Sequence, residues 1–156
     1  MSSILTEIND LIQSNLEDIL ASPLSESRLQ ALDTYSRQVE DYLDVLVEMT
    51  KSLGDEVRRL RKKQYQFMQW AAEADASSHQ FTQEGKFSLA QAANNRKRVM
   101  ELAADALKRE ADAQNEQFQV LLDARLRLDA RLTEVAQKRT ALLMTPPQPS
   151  SIIVPT

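Results

Sequence analysis

From Leu24 to Thr145 the chain runs without a proline. Proline removes a backbone donor and clashes with the preceding turn, so its absence over this stretch leaves room for very long helices. Only two glycines occur, Gly54 and Gly85. Ser77, Ser78, Thr82, Gln83 and Glu84 lead up to the second, which places a turn at residues 82–87. The reading is all-α: a long antiparallel helical hairpin, each arm about 57 residues and on the order of 85 Å long at about 1.5 Å per residue.

Both arms carry a heptad seam. Steps of three and four from Leu29 run through Leu32, Val39, Leu43, Leu46, Leu53, Val57, Leu60, Phe67, Ala71, Ala74 and Phe81, with Ser36, Thr50, Gln64 and Ser78 interrupting one column. The second arm repeats the pattern through Leu107, Ala111, Gln114, Phe118, Leu121, Arg125, Leu128, Leu132, Val135, Arg139 and Leu142. Polar residues in a seam lower stability but fix register, so one specified alignment is expected. With a turn near residue 85, position i should face roughly 169 − i, which sets Arg58, Arg59 and Arg61 opposite residues 108–112, near Glu110 and Asp112, and Arg96, Lys97 and Arg98 near Glu73. A second stripe, Tyr35, Tyr42, Met49 and Trp70, calls for another element on the first arm. Gly54, inside that arm, costs about 1 kcal/mol relative to alanine and marks a weak point or a close contact.

Ahead of the hairpin, residues 3–21 predict a short amphipathic helix within an N-terminal segment 1–22. Ile4, Leu5, Ile8, Leu11, Ile12, Leu16, Ile19 and Leu20 share one half of its wheel, and Glu7, Asp10, Glu17 and Asp18 lie on the other. Ser22 and Pro23 end it and start the hairpin region, 23–145, as N-cap and first helical residue. Such a helix can fold onto the hairpin, lie on a membrane surface or join neighbouring subunits. No Lys or Arg stands on its polar face, so membrane binding would rest on apolar insertion rather than on attraction to anionic lipid. Residues 146–156, with Pro146, Pro147, Pro149 and Pro155, read as a flexible tail whose Ile152-Ile153-Val154 triplet could add a strand to a partner.

Composition excludes several classes. There is no cysteine and hence no disulfide framework or thiolate chemistry, which fits a reducing compartment. His79 is the only histidine, and two isolated glycines cannot build a phosphate loop. Neither a catalytic site nor a metal or cofactor is expected, and the chain reads as a non-enzyme. Arg58, Arg59, Arg61, Arg96, Lys97 and Arg98 form a candidate ledge for phosphates or a partner. Pairing with neighbouring acids is the plainer reading. The net charge of −4 and a pI near 5.1 argue against nucleic acid. No apolar run reaches the roughly 20 residues that cross a bilayer, and the N-terminus lacks a secretion signal's basic start and continuous apolar block, so the expected location is cytoplasmic.

The order of features resembles the phage shock protein A family, which includes the vesicle-inducing protein in plastids and is related to the ESCRT-III membrane-remodelling proteins. ILTEINDLIQSNLEDIL looks like that family's amphipathic first helix, Ser22-Pro23 stands at its Asp-Pro break, and QVEDYLDVLVEM resembles the start of its long hairpin. Trp70 with Ala74, then Gly85 and Leu89-Ala90-Gln91-Ala92-Ala93, look like its tryptophan–alanine and leucine–alanine elements around the bend. The gap from Trp70 to Leu89 is about one helical turn longer than the family pattern, and the sequence stops before the family's later helices, as a short form would. The resemblance implies a homo-oligomer or polymer, peripheral on the inner face of a membrane, that contacts lipid through the eight Ile and Leu residues above and supports or remodels the bilayer under envelope stress. It also implies, as alternatives, a longer paralogue as partner or a soluble coiled-coil adaptor that inhibits a transcriptional activator ATPase. A coiled-coil stalk or chaperone of a secretion or phage apparatus is a third class.

Overall fold

A computed structural model describes residues 2–21 and 25–144. Four helices follow in order: α1, Ser2–Gln13; α2, Leu16–Ile19; α3, Ser25–Gln83; and α4, Phe87–Met144. No strand occurs among the described residues. The long pair α3 and α4 packs as an antiparallel hairpin, the predicted fold class. The predicted Ser22-Pro23 break and the tail beyond Met144 lie outside the described residues.

The turn is a helix stop built on one glycine. Gly85 adopts φ 74°, where a side chain would be strained. Its N–H donates to the Thr82 carbonyl at 3.1 Å, and the Lys86 N–H donates to the Phe81 carbonyl at 2.8 Å. These two bonds satisfy carbonyls that the end of α3 would otherwise leave open, in the Schellman arrangement. Two residues after Gly85 the chain is helical again, with the Ala90 N–H bonded to the Lys86 carbonyl at 2.9 Å.

The hairpin divides into two compact units. The unit made of residues 50–120 has a thin core. Its buried residues are Thr50, Gly54, Leu60, Ala71, Ala74 and Ser78 from α3 and Ala90, Ala104 and Ala111 from α4. Small residues dominate this core on both sides, and Gly54 makes room for the ring of Phe118. A Cβ built there would lie 3.2 Å from Cε2 of Phe118, so the glycine reads as a close-contact site. Gly54→Ala should therefore change stability by less than about 1 kcal/mol, since the helix-propensity gain is offset by a crowded ring. In a Phe118→Leu background the same substitution should stabilise by about 1 kcal/mol, and urea titration of the two pairs would show the difference.

The other unit, residues 1–49 with 121–156, is built differently. Ile8, Leu16, Leu32, Tyr35, Val39, Leu46, Leu121, Leu128 and Val135 are buried, each 5% exposed or less. Burial of a large apolar side chain contributes about 1.5–3 kcal/mol, so this three-element core carries most of the apolar stabilisation. Seam positions Leu43, Leu53, Val57, Phe67, Leu107 and Phe118 are half-buried, as flanking positions of a two-helix contact must be.

The cross-arm pairs fall close to the expected alignment. Arg61 meets Asp112 at 2.6 Å, as expected, and Lys97 meets Asp75 at 2.9 Å rather than Glu73. In the unit of residues 1–49 and 121–156, Asp33 meets Arg139 at 2.8 Å.

Candidate functional site

The N-terminal helix is docked. Its expected single span of 3–21 breaks at Ser14 and Asn15. The Ser14 hydroxyl donates back to the Asp10 carbonyl at 3.0 Å, and the Asn15 side chain caps α2 by accepting from the Glu17 N–H at 2.9 Å. Ile8 and Leu16 turn inward and are 1% and 5% exposed. Ile4, Leu5, Leu11, Ile12, Ile19 and Leu20 are half-buried. Of the eight residues expected to enter a membrane, two are thus core in this conformation and six keep part of their apolar surface in water.

Polar contacts fix the helix in place. The Tyr35 hydroxyl, on a ring only 4% exposed, donates to the Leu11 carbonyl at 2.6 Å. Arg131 of α4 donates from Nε to the Tyr35 oxygen at 2.9 Å, from Nη1 to Glu134 at 2.6 Å and from Nη2 to the Ser14 carbonyl. Its guanidinium also lies 6.0 Å from the Tyr35 ring centroid. At the rim, Tyr42 donates to Glu7 at 2.8 Å and Lys138 pairs with Glu17 at 3.1 Å. The hydrogen bond to Glu7 raises the Tyr42 phenol above its usual range, so it stays a protonated donor. Exposed pairs of this kind contribute about 0–1 kcal/mol each.

Tyr35 and Tyr42 of the second stripe therefore receive the expected extra element. Trp70, in the other unit, makes an edge-to-face contact with Phe67, centroids 5.2 Å apart. Tyr35 stood out from the sequence, but Arg131 and Lys138 did not. Their contacts reach residues more than a hundred positions away, and no local spacing marks them.

The candidate cation ledge is largely neutralised by its neighbours. Arg58 pairs with Asp55, and Arg59 with Glu56 at 2.6 Å. Arg61 pairs with Asp112, and Lys97 with Asp75 and Glu101. Hydrogen bonds from Arg59, Lys97 and Arg61 hold the Glu56, Asp75 and Asp112 carboxyls below the usual carboxylate range. Arg96 and Arg98 are exposed, and Arg96 edges a shallow groove with Glu73, Ala74, Phe81, Leu89 and Ala93. A second groove in the same unit is lined by Gln64, Met68, Ala71, Asp75, Lys97 and Lys108. Around these grooves Tyr65, Met68, Leu89, Val99 and Leu102 are each at least half exposed.

No group of His, Asp and Glu among the described residues could hold a metal ion. The His79 Nδ1–H donates to the Asp75 carbonyl of its own helix at 2.8 Å. No helix among the described residues is long and apolar enough to cross a membrane. Comparison with known proteins finds no matching family model, no similar curated protein and no similar solved structure.

Proposed function

We propose that this chain is a non-enzymatic helical-hairpin protein that attaches to the inner face of a membrane through its N-terminal helix and assembles side by side to support the bilayer under stress. The observation that carries this reading is the state of α1 and α2. They form an amphipathic element whose apolar face is only partly used, with Ile8 and Leu16 buried and Ile4, Leu5, Leu11, Ile12, Ile19 and Leu20 half-exposed. A lipid surface would cover the remainder. Exposed Tyr65, Met68, Val99 and Leu102 on the unit of residues 50–120 supply apolar area for contact between copies.

Leu11→Glu with Ile12→Glu tests the reading. The double substitution should abolish flotation with vesicles of phosphatidylglycerol and phosphatidylcholine while far-UV circular dichroism stays nearly unchanged. Vesicle binding equal to the unsubstituted protein's would remove this helix as the anchor.

A second reading, a soluble adaptor that captures and inhibits a protein such as a transcriptional activator ATPase, is favoured by the docked position of α1 on Tyr35 and Arg131. On that reading the protein stays unattached to vesicles with or without the substitutions.

A further inference from the structure

The end of α1 is capped in part by Ser14, whose hydroxyl donates to the Asp10 carbonyl, and in part by the two long helices. Helix C-termini leave carbonyls without intrahelical partners and favour a nearby cation. α1 has no basic residue in its last turn. Tyr35 from α3 takes the Leu11 carbonyl, and Arg131 from α4 takes the Ser14 carbonyl. Arg131 also holds Tyr35, and its side chain is 17% exposed. One guanidinium thus ties together the last turn of α1, α3 and α4. The same closure buries Ile8 and Leu16.

We propose that Arg131 and Tyr35 form a latch that keeps the apolar face of the N-terminal helix against the hairpin, so that lipid attachment requires the latch to open. The inference rests on the membrane reading above. Hairpin and lipid compete for one set of side chains, because Ile8 and Leu16 cannot be buried in the core and in a bilayer at once. Apparent lipid affinity is then the intrinsic affinity multiplied by the undocked fraction, so anything that stabilises the latch lowers attachment by the same factor. Docking leaves six of the eight apolar residues partly exposed, so a lipid surface can cover apolar area that the docked state leaves open.

Two full-length variants test the latch. Arg131→Met with Tyr35→Phe keeps the stem and ring but removes both donors to the carbonyls at the end of α1. The Tyr42–Glu7 bond at the rim stays in place. The variant should speed amide exchange in residues 5–13 and raise partitioning onto phosphatidylglycerol–phosphatidylcholine vesicles at least about tenfold, or about 1.4 kcal/mol. In the opposite direction, Glu7→Cys with Tyr42→Cys, joined by a short bis-maleimide, fixes α1 in place. The chain has no other cysteine to react, and this form should lose vesicle binding. Exchange in residues 5–13 that matches the unsubstituted protein would overturn the latch alone. Equal vesicle binding by the cross-linked form and the Arg131→Met, Tyr35→Phe variant would overturn it as well. Faster exchange without any gain on vesicles would overturn the membrane reading beneath it.

Discussion

Leu128→Ala is expected to lower the unfolding free energy by about 2–5 kcal/mol. Leu128 is fully buried in the unit of residues 1–49 and 121–156, whose core also holds Leu32, Val39, Leu46, Leu121 and Val135. Removing its isobutyl group loses apolar transfer energy and leaves a cavity that long, rigid helices cannot easily collapse into. The midpoint of urea unfolding followed by far-UV circular dichroism should fall accordingly. A loss below about 1 kcal/mol, within the range of surface substitutions, would mean that α1, α3 and α4 do not share a common core there.

Ala111→Leu should also destabilise, by about 1–3 kcal/mol, for the opposite reason. Ala111 is fully buried in a core that, Leu60 apart, is Ala, Ser, Thr and Gly, where a larger side chain must force the helices apart. Leucine and alanine differ little in helix propensity, so backbone preference contributes only a small part of the loss. Trp70 is the only tryptophan and lies in the same unit, so its fluorescence reports the shift in midpoint directly. Increased stability would reveal a void at the seam.

These opposite sensitivities were readable from the residues because a heptad pattern states which positions face a partner. Leu32, Val39, Leu46, Leu60, Ala71, Ala74 and Ser78 all follow the predicted steps and are buried, as are Ala111, Leu121, Leu128 and Val135 in the second arm. The turn at Gly85 was equally plain, since nothing else near it tolerates a positive φ as cheaply. Register was less legible. Sliding one helix by a turn brings another apolar residue to nearly the same place, so the pattern constrains alignment weakly. Specific fits fix it instead: Phe118 over Gly54, Arg61 with Asp112 and Asp75 with Lys97. The break at Asn15 had a local signal, an Asn followed by Glu17 and Asp18, but the continuous apolar face across it outweighed that signal. Arg131 was hidden because arginine beside a seam is usually solvated, and only the folded chain brings Ser14 to it.

The capping of α1 by residues far apart in sequence also orders the folding of the chain. Asp75 and Lys97 are separated by 22 positions, whereas Arg131 and Ser14 are separated by 117 and Arg131 and Tyr35 by 96. Direct closure of the longest loop costs roughly 1–2 kcal/mol more than closure of the shortest. Closing outward from Gly85 avoids that cost, because each new pair lengthens an already formed hairpin. Tyr35 and Arg131 then become neighbours only when α3 and α4 have come together in the correct register, and only then does a seat for α1 exist. The N-terminal helix is on this account last to settle, because its seat needs Tyr35 and Arg131 already side by side.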